Sequence, residues 1–346
     1  MSLADPFHVL VSGVPFACQD RRPDETWMTP RQVAQVEAVS PRIVLHHLSP
    51  LDLNAGRVAP PPPHAFLVET AGIDPGYDEM PSFVSGAAFT RMISPDLRFV
   101  QSCSAGVEHL MPLVPDGVTV CNASGVHANA IAETAMAVIL GRAKMLEQRR
   151  HDQAARVWRQ LPCREVVGAT IAILGVGRIG SAVARLAQAF GMRTIGIRRG
   201  IAPAEYFDTV VGVEDRDDAL GDADYLVVAC PLTSQTRGLI GAHELSALKE
   251  GAFLLNVARG AIVDEAAMLD ALGRGWLSGA FLDAHIQEPL PPEHPLWGLP
   301  GVFISPHDSH ASQLMGDRHI SLFCENLRRV LADEPLLNVV EFGRGY

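Results

Sequence analysis

The stretch TIAILGVGRIGSAVARLAQAFG, residues 170–191, decides how this chain folds. The run TIAIL predicts a buried strand, and GVGRIG at 175–180 follows it at once. The rest predicts a helix that Gly191 is placed to end. The apolar face of this helix is expected to consist of Ile179, Val183, Leu186 and Phe190. A strand, a glycine turn and a helix in direct succession predict one unit of a parallel sheet.

The three glycines of GVGRIG have separate physical roles in such a turn. Gly175 allows the tight turn, Gly177 lets a pyrophosphate approach the backbone, and Gly180 lets the helix pack closely on the strand. The helix N-terminus adds unpaired N–H donors, which favour an anion. In this context the motif predicts a dinucleotide site, the alternative being a purely structural glycine turn.

Strand-like and helix-like segments alternate after this motif. The strand-like segments are RTIGIRR, YLVVAC, AFLLNVA, LSGAFLDA and VFISP. Their rhythm predicts an α/β fold with a doubly wound parallel sheet, that is, a Rossmann domain, which we place at residues 128–310. Within it, residues 129–150 are rich in alanine and predict one long connecting helix.

A second set of short apolar runs occupies the first 125 or so residues. These runs are FHVLVSGV, RIVLHH, AFLVE, LRFVQSC and VTVCN, and they predict a smaller, flavodoxin-like α/β domain. The proline run at 60–63 is expected to be an exposed loop. A helix predicted at about 313–332 is expected to return to this domain. The domain is therefore discontinuous, over residues 1–127 and 311–346.

Composition excludes several classes of protein. With 346 residues, 48% hydrophobic and 19% charged, the chain has ordinary globular composition and room for two cores. Its net charge of -11 argues against a nucleic-acid or anionic-membrane partner. It shows neither a secretory leader nor an apolar run of about 18 residues. No CxxC pair occurs among Cys18, Cys103, Cys121, Cys163, Cys230 and Cys324, so we expect reduced thiols and a cytoplasmic protein.

The strand RTIGIRR ends in two arginines, at the position where NAD-binding domains carry an acid. Arg198 lies 18 residues after Gly180, close to where that acid is expected. The guanidinium groups of Arg198 and Arg199 suit a 2′-phosphate and offer no acceptor to a ribose hydroxyl. The sequence therefore favours NADP, although a backbone or loop group could still serve NAD.

Three later segments place a charged residue at or just beyond a predicted strand end: NVARGAIVDE, FLDAHIQEPLPPEHPLW and SPHDSH. Because the carboxyl ends of parallel strands border one crevice, Arg259, Glu288 and His307 can meet there. Taken singly, Arg259 could pair with Asp264, Glu288 could cap the proline-rich loop, and His307 could be a core histidine. Taken together they favour a catalytic set in which Glu288, rather than Asp308, is the partner of His307.

These motifs resemble the D-isomer-specific 2-hydroxyacid dehydrogenase family, which includes glyoxylate/hydroxypyruvate reductases and phosphoglycerate dehydrogenases. The resemblance covers nearly the whole chain and is carried by GVGRIG, CPLTSQTRGLI at 230–240, NVARGAIVDE, LDAHIQEPLPPEHPLW and SPH, in that order. It implies hydride transfer between a nicotinamide and a small 2-keto or 2-hydroxy acid. It also implies a homodimer joined through the nucleotide domains.

Two chemical tasks follow from such a reaction. Arg259, with its planar fork, would hold the substrate carboxylate and polarise the carbonyl. His307 would give or take the proton. Glu288, bonded to the other ring nitrogen of His307, would fix its tautomer and favour the imidazolium that reduction needs. The resemblance assigns the same three roles.

The resemblance also implies which residues contact the cofactor and the substrate. Asp283 is expected at the nicotinamide carboxamide. The full cofactor set is Gly175, Gly177, Arg178, Ile179, Gly180, Arg198, Arg199, Cys230, Pro231, Thr236, Ala258 and Asp283. In SCSAGVEHL at 102–110, the N–H groups of Ala105, Gly106 and Val107 would bind the substrate carboxylate opposite Arg259. A structural glycine turn is the alternative there.

Several features depart from the family pattern. Asp308, Ser309 and His310 make the segment after His307 unusually polar, and His285 stands where an apolar residue is usual. Either histidine, His285 or His310, could favour a substrate with an extra acidic or hydroxyl group, or these residues could be solvated. We expect no metal site, since the histidine spacings match no metal motif. A rival function is a dinucleotide-sensing binding protein, like the corepressors of the C-terminal-binding-protein type, which can keep the same three residues.

Overall fold

The computed structural model describes residues 5–12, 28–68, 84–107 and 110–341. The chain divides into two compact units, Met1–His127 with Ala311–Tyr346, and Ala128–His310. We call them unit 1 and unit 2. Every ladder between neighbouring strands in the described residues is parallel, in both units.

The strands are β1 (Phe7–Ser12), β2 (Ile43–His47), β3 (Ala65–Val68), β4 (Phe99–Ser102), β5 (Thr119–Cys121), β6 (Thr170–Leu174), β7 (Arg193–Arg198), β8 (Thr209–Gly212), β9 (Tyr225–Val228), β10 (Ala252–Asn256), β11 (Leu277–Leu282) and β12 (Val302–Ile304). The α-helices are α1 (Pro30–Glu37), α2 (Pro50–Asn54), α3 (Gly86–Met92), α4 (Ala128–Ala143), α5 (Leu146–Ala154), α6 (Arg178–Ala189), α7 (Arg216–Gly221), α8 (Ala242–Ala247), α9 (Glu265–Gly273) and α10 (Met315–Leu331). In the described part of the chain, every helix is too short or too polar to span a bilayer.

Unit 1 is a five-stranded sheet in the order β2-β1-β3-β4-β5, which is the flavodoxin-like order predicted from the sequence. Both faces of the sheet are buried, as parallel sheets require. Val9 of β1 packs on the face that α10 covers with Phe323, whereas Leu10 packs on the opposite face with Phe89 of α3. The closing helix α10 lies against α1 and this sheet.

Unit 2 is a seven-stranded sheet in the order β12-β11-β10-β9-β6-β7-β8, so the predicted doubly wound sheet is confirmed. The first strand of this sheet, β6, lies in its interior. The chain continues outward through β7 and β8 and then returns to β9 on the other side of β6. Successive residues of β6 alternate between two cores: Ile171 packs on one face and Ala172 on the other. The reversal between β6 and β9 opens a crevice at the carboxyl ends of these strands.

The prediction of one long helix over residues 129–150 is wrong, since two helices occupy that stretch. α4 ends at Ala143 and α5 begins at Leu146. Between them Met145 has a φ of 53°, in the left-handed region. Its N–H bonds to the carbonyl of Arg142, and its own carbonyl accepts from Arg149 to start α5. No glycine or proline marks this break, which is why the sequence pattern runs through it.

The buried face of α6 also differs from the prediction in part. Val183 is fully buried, but Ile179 and Leu186 are only partly buried and Phe190 is 42% exposed. Small side chains, Ala182, Ala184 and Ala187 among them, are buried instead, and α6 packs along α4. The two alanine-rich helices can approach closely, so the larger apolar residues of α6 lie toward its flanks. Gly191, with a φ of 73°, ends the helix as predicted.

Candidate active site

The carboxyl edge of the unit 2 sheet carries nearly all the residues predicted for the site. Every strand of this sheet is parallel, so the segments after β6, β7, β9, β10, β11 and β12 emerge at one edge. The residues that follow those strands at once include Gly175, Arg199, Asp283 and Ser305. The crevice between β6 and β9 lies at the same edge.

The glycine turn after β6 has the shape that a dinucleotide phosphate requires. Gly175 has a φ of 109°, and a side chain there would lie 2.7 Å from the backbone of Ala229 and Cys230. A side chain on Gly180 would collide with the carbonyl oxygen of Gly175. By contrast, a Cβ on Gly177, the residue that precedes α6, would meet open space. Two glycines are therefore required by packing, and the third leaves the helix N-terminus accessible to an anion.

The end of β7 carries two cations, Arg198 and Arg199. Nε of Arg198 donates to the carbonyl of Gly200 at 2.9 Å, and a second guanidinium nitrogen bonds to the carbonyl of Ala202. The side chain of Arg198 is thus bonded to the turn that follows β7 and is only partly exposed. Arg199 is exposed. The two guanidinium groups at this end of the strand suit an anionic phosphate.

The loop after β9 is closed by the hydroxyl of Thr236. Its Oγ1 donates to the carbonyl of Pro231 at 2.7 Å and accepts from the N–H of Thr233 at 2.7 Å. Cys230 at the start of the loop is buried, and this burial raises the pKa of its thiol to about 11. Cys230 is therefore a protonated packing residue at neutral pH, and the loop conformation depends on Thr236.

Arg259 lies in a loop that Asn256 fixes from the end of β10. Asn256 is 1% exposed; its Nδ2 donates to the carbonyl of Arg259 at 3.0 Å and its Oδ1 accepts from the N–H of Ala258 at 3.1 Å. Asp264 caps α9 by accepting from the N–H of Ala267. The backbone on both sides of Arg259 is thus held by one buried amide.

Gly260 joins the Arg259 loop to the loop that carries Glu288. A side chain on Gly260 would collide with the main chain of His285 and Ile286. The N–H of His285 in turn donates to Oε1 of Glu288 at 2.8 Å. The close approach of two backbones, which only glycine permits, therefore links the loops that follow β10 and β11.

Glu288 and His307 form a hydrogen-bonded pair. Nδ1 of His307 lies 2.9 Å from Oε2 of Glu288, and the side chains are 34% and 19% exposed, respectively. Both oxygens of Glu288 are engaged, one by His285 and one by His307. The carboxylate is therefore fixed, and it leaves Nε2 of His307 as the ring nitrogen that can exchange a proton with a ligand. Asp308, the rejected alternative partner, is exposed.

Asp283 is bonded to the loop that carries His307. It is 2% exposed, and its carboxylate accepts hydrogen bonds from Ser305, Asp308 and Ser309, all in the loop that carries His307. The described contacts of Asp283 are thus with the catalytic loop. Its contact with the nicotinamide carboxamide stays a prediction.

The loop predicted to bind the substrate carboxylate lies in unit 1, after β4. The carbonyls of Ser104 and Ala105 accept from the N–H of Ala123 and from Nδ2 of Asn122, each at 3.0 Å. These bonds fix the orientation of the peptide planes. The N–H groups of the next residues, Gly106 and Val107, make no hydrogen bond to the described part of the chain. Backbone donors in this state are suited to a small anion.

Other chemistries find little support among the described residues. In that part of the chain no group of three or more His, Cys, Asp or Glu side chains could hold a metal ion. The five cysteines described there are free, and burial raises the pKa of the Cys121 thiol to about 12 and of the Cys324 thiol to about 11. These two buried thiols are not nucleophiles at neutral pH.

Some supporting residues were not identified from the sequence. Asn256 and Gly260 lie within the motif NVARGAIVDE and Asn122 within VTVCN, and neither motif by itself indicates their role. Each is a small or polar residue at or just after a strand end, and that position was the available signal. The sequence does not indicate the roles of Ser305 and Ser309 either, because serine in a polar segment is typical of a solvent-exposed loop.

Comparisons with known proteins agree with this geometry. The family model for the D-isomer specific 2-hydroxyacid dehydrogenase, NAD binding domain, matches residues 136–309. The glyoxylate reductase of Aeropyrum pernix is 36% identical over 247 residues, covering 68% of this chain and 73% of that protein. The D-3-phosphoglycerate dehydrogenase of Mycobacterium leprae is 31% identical over 256 residues, covering 73% of this chain but 48% of that protein.

Solved structures extend the similarity over the whole chain. A D-isomer specific 2-hydroxyacid dehydrogenase from Xanthobacter autotrophicus Py2, in complex with NADPH and MES, is 27% identical, with a TM-score of 0.77 and coverage of 99% of this chain and 100% of that one. The NADPH-dependent glyoxylate/hydroxypyruvate reductase from Sinorhizobium meliloti, in complex with NADP and sulfate, is 25% identical, with a TM-score of 0.75 and coverage of 98% and 100%. The chain therefore belongs to the D-isomer specific 2-hydroxyacid dehydrogenase family and is an NAD(P)-dependent oxidoreductase of 2-hydroxy and 2-keto acids.

Proposed function

We propose that this protein reduces small 2-keto acids of the glyoxylate and hydroxypyruvate type to the D-hydroxy acids, with NADPH as the preferred cofactor. The observation that carries the proposal is the pair of Glu288 and His307 at the same sheet edge as the glycine turn. Glyoxylate reductases among the relatives support this substrate class.

The glycine turn and the end of β7 are the parts that would hold the cofactor. The open space at Gly177 before α6 fits a pyrophosphate. Arg198 and Arg199 would bind the 2′-phosphate, and two structural relatives hold NADPH or NADP. When bound, NADPH supplies the hydride. The proposed binding set also includes Arg178, Ile179, Cys230, Pro231, Thr236, Ala258 and Asp283.

Arg259 has the chemistry to orient the substrate. Its guanidinium would bind the carboxylate and polarise the adjacent carbonyl, which makes that carbon a better hydride acceptor. The N–H groups of Ala105, Gly106 and Val107 would bind the carboxylate as well, which makes unit 1 the substrate-binding domain and unit 2 the dinucleotide-binding domain. The fixed backbones on either side of Arg259 and at Ala105 support these assignments.

His307 would complete the reduction by delivering a proton. Its Nδ1 is engaged by Glu288, so Nε2 would donate to the substrate oxygen as negative charge develops there. Glu288 would keep the ring oriented and compensate the imidazolium charge. In the reverse direction, the same nitrogen would accept the proton of the hydroxyl group.

We further propose a cytoplasmic homodimer. The segment between α5 and β6 includes Trp158, which is 102% exposed, and Val157, which is 47% exposed. Exposed apolar side chains of this size favour burial against a partner, and a second copy of the chain is the partner the family resemblance implies. Sedimentation at micromolar concentration would test this, with Trp158→Ser expected to weaken the association.

A direct assay tests the proposed function. The purified protein, NADPH and either glyoxylate or hydroxypyruvate should give a loss of NADPH absorbance. We expect His307→Ala and Arg259→Ala each to lose at least about a hundredfold in kcat/KM while NADPH still binds. Tight NADPH binding without turnover on a broad panel of keto acids would instead favour the corepressor-like binding protein.

A further inference from the structure

A single buried carboxylate organises the loop that carries His307. Asp283 follows β11 directly and is 2% exposed. Its Oδ1 accepts from Oγ of Ser305 at 2.7 Å and from the N–H groups of Asp308 and Ser309, each at 3.0 Å. Its Oδ2 accepts from Oγ of Ser309. Four donors from one short loop therefore converge on the same side chain.

His307 lies between these donors in an unusual backbone conformation. Its φ is 57°, in the left-handed region that residues other than glycine seldom adopt. Such a conformation persists where the surroundings impose it. Ser305 precedes His307 and Ser309 follows it, and both bond to Asp283. The ring held by this turn is the one that meets Glu288 at 2.9 Å.

Further bonds tie the remaining peptide groups of the loop. The carbonyl of Ser309 accepts from Oγ1 of Thr134 at 3.1 Å, and the ring of His285 lies 3.3 Å from the carbonyl of Ser305. Polar residues that would otherwise be attributed to a solvated loop thus hold the backbone around His307.

The four donors are unevenly shared between the two oxygens of Asp283. Three of them bond to Oδ1 and one to Oδ2, so Oδ2 keeps a lone pair for a further donor such as the predicted nicotinamide carboxamide. The described bonds of the carboxylate would act on the reaction through His307.

We propose that Ser309, supported by Ser305, is a positioning residue for the proton donor. Through Asp283, its hydroxyl holds His307 in the left-handed turn that presents Nε2 to the substrate. This inference rests on the proposed function, since it assigns a role around the same histidine.

The test compares three single variants of the full-length protein with glyoxylate and NADPH. Ser309→Ala should lower kcat about tenfold, because the ring is less often in a reactive position, while the KM for glyoxylate and the Kd for NADPH stay within about twofold. The solvent deuterium isotope effect on kcat should rise, because proton transfer from His307 becomes slower. Ser309→Thr, which keeps the hydroxyl, should restore most of the activity. Ser246→Ala, an exposed helical serine bonded to the carbonyl of His243, is the matched control.

Two outcomes would overturn the inference alone. One is a wild-type kcat and isotope effect in Ser309→Ala, under conditions where His307→Ala is inactive. The other is a loss of NADPH affinity as large as the loss of kcat, which would place Asp283 at the cofactor. If either Ser309 variant fails to fold by thermal melting, Ser305→Ala removes one donor to the same carboxylate and is judged by the same readouts. Absence of turnover in the wild-type protein would overturn the proposed function, and this inference with it.

Discussion

Gly260 lies directly against the main chain of His285, with no room for a side chain between them. This contact brings the loop that carries Arg259 to the loop that carries Glu288. The two segments are more than twenty residues apart in sequence. Their main chains can lie in contact because Gly260 has no Cβ.

Replacing Gly260 with alanine should damage this arrangement. The new Cβ would force the two loops apart, so we expect a loss of about tenfold or more in kcat/KM and about 1–3 kcal/mol in stability. Steady-state kinetics and chemical unfolding measure the two effects. Gly273→Ala is the control, because a Cβ there meets nothing within 4 Å. Equal behaviour of the two variants would show that the contact is not needed.

Replacing Glu288 with glutamine should change how the reaction depends on pH. Reduction needs a protonated His307, and a neutral partner no longer compensates the imidazolium charge. We therefore expect the alkaline midpoint of the kcat profile to move to lower pH, and kcat at neutral pH to fall about tenfold. Glu265→Gln, which alters a second pair of glutamate and histidine, with His294, is the control. An unmoved profile would contradict the assigned role of Glu288.

Replacing the two arginines at the end of β7 should alter the preference between NADPH and NADH. Arg198→Asp with Arg199→Ser removes two cations and supplies an acceptor for a ribose hydroxyl. The ratio of kcat/KM for NADPH to that for NADH should fall at least about tenfold. Arg193→Ser, at the other end of β7, removes a cation paired with Asp222 and should leave the ratio unchanged. A preference for NADPH that survives the double change would remove the basis of the cofactor proposal.

Unit 1 should lose stability in mild acid. Burial, with a smaller contribution from His8, lowers the pKa of His46 below 6.5, and burial chiefly lowers that of His64. A lowered pKa means that the unfolded chain binds more protons than the folded one. The associated stability is present above about pH 6.5 and is lost as the pH falls toward the folded-state values. Hydrogen exchange of β1 and β2, corrected for the intrinsic rate, should report weaker protection there.

A variant separates this effect from general acid sensitivity. His46→Gln should flatten the pH dependence of protection in β1, because it removes one titrating ring beside His8. His151→Gln alters an exposed histidine of α5 and should not. The same pH dependence in all three proteins would assign the acid sensitivity to other groups.

The sequence predicted the parts of the fold that depend on backbone geometry. GVGRIG lies between a strand and a helix as expected, because Gly175 and Gly180 occupy positions where a Cβ has no space. The hydrogen bond expected between Glu288 and His307 is present, since parallel strands deliver their ends to one edge. Periodicity failed where tertiary packing decides: at Met145, which breaks a continuous helical pattern, and at Phe190, which the close packing of α6 on α4 leaves exposed.

The supporting contacts of the site could not be predicted in the same way. Asn256 and Ser309 act through hydrogen bonds to residues in other loops, and their partners are unknown until the strands are placed. Neither residue type identifies such a role alone, since both are common in solvated turns. Strand order can be inferred from a pattern, but the donors around a single carboxylate cannot.

The location of α10 has a consequence for biosynthesis. Phe323 and Leu327 belong to the same core as Phe7 and Val9, so that core joins two segments that lie far apart in the sequence. The nucleotide-binding half is a continuous stretch and can mature while translation is still under way. The strand β1 must therefore wait for α10, which is translated some three hundred residues later, and a chain truncated before α10 would leave unit 1 unfinished.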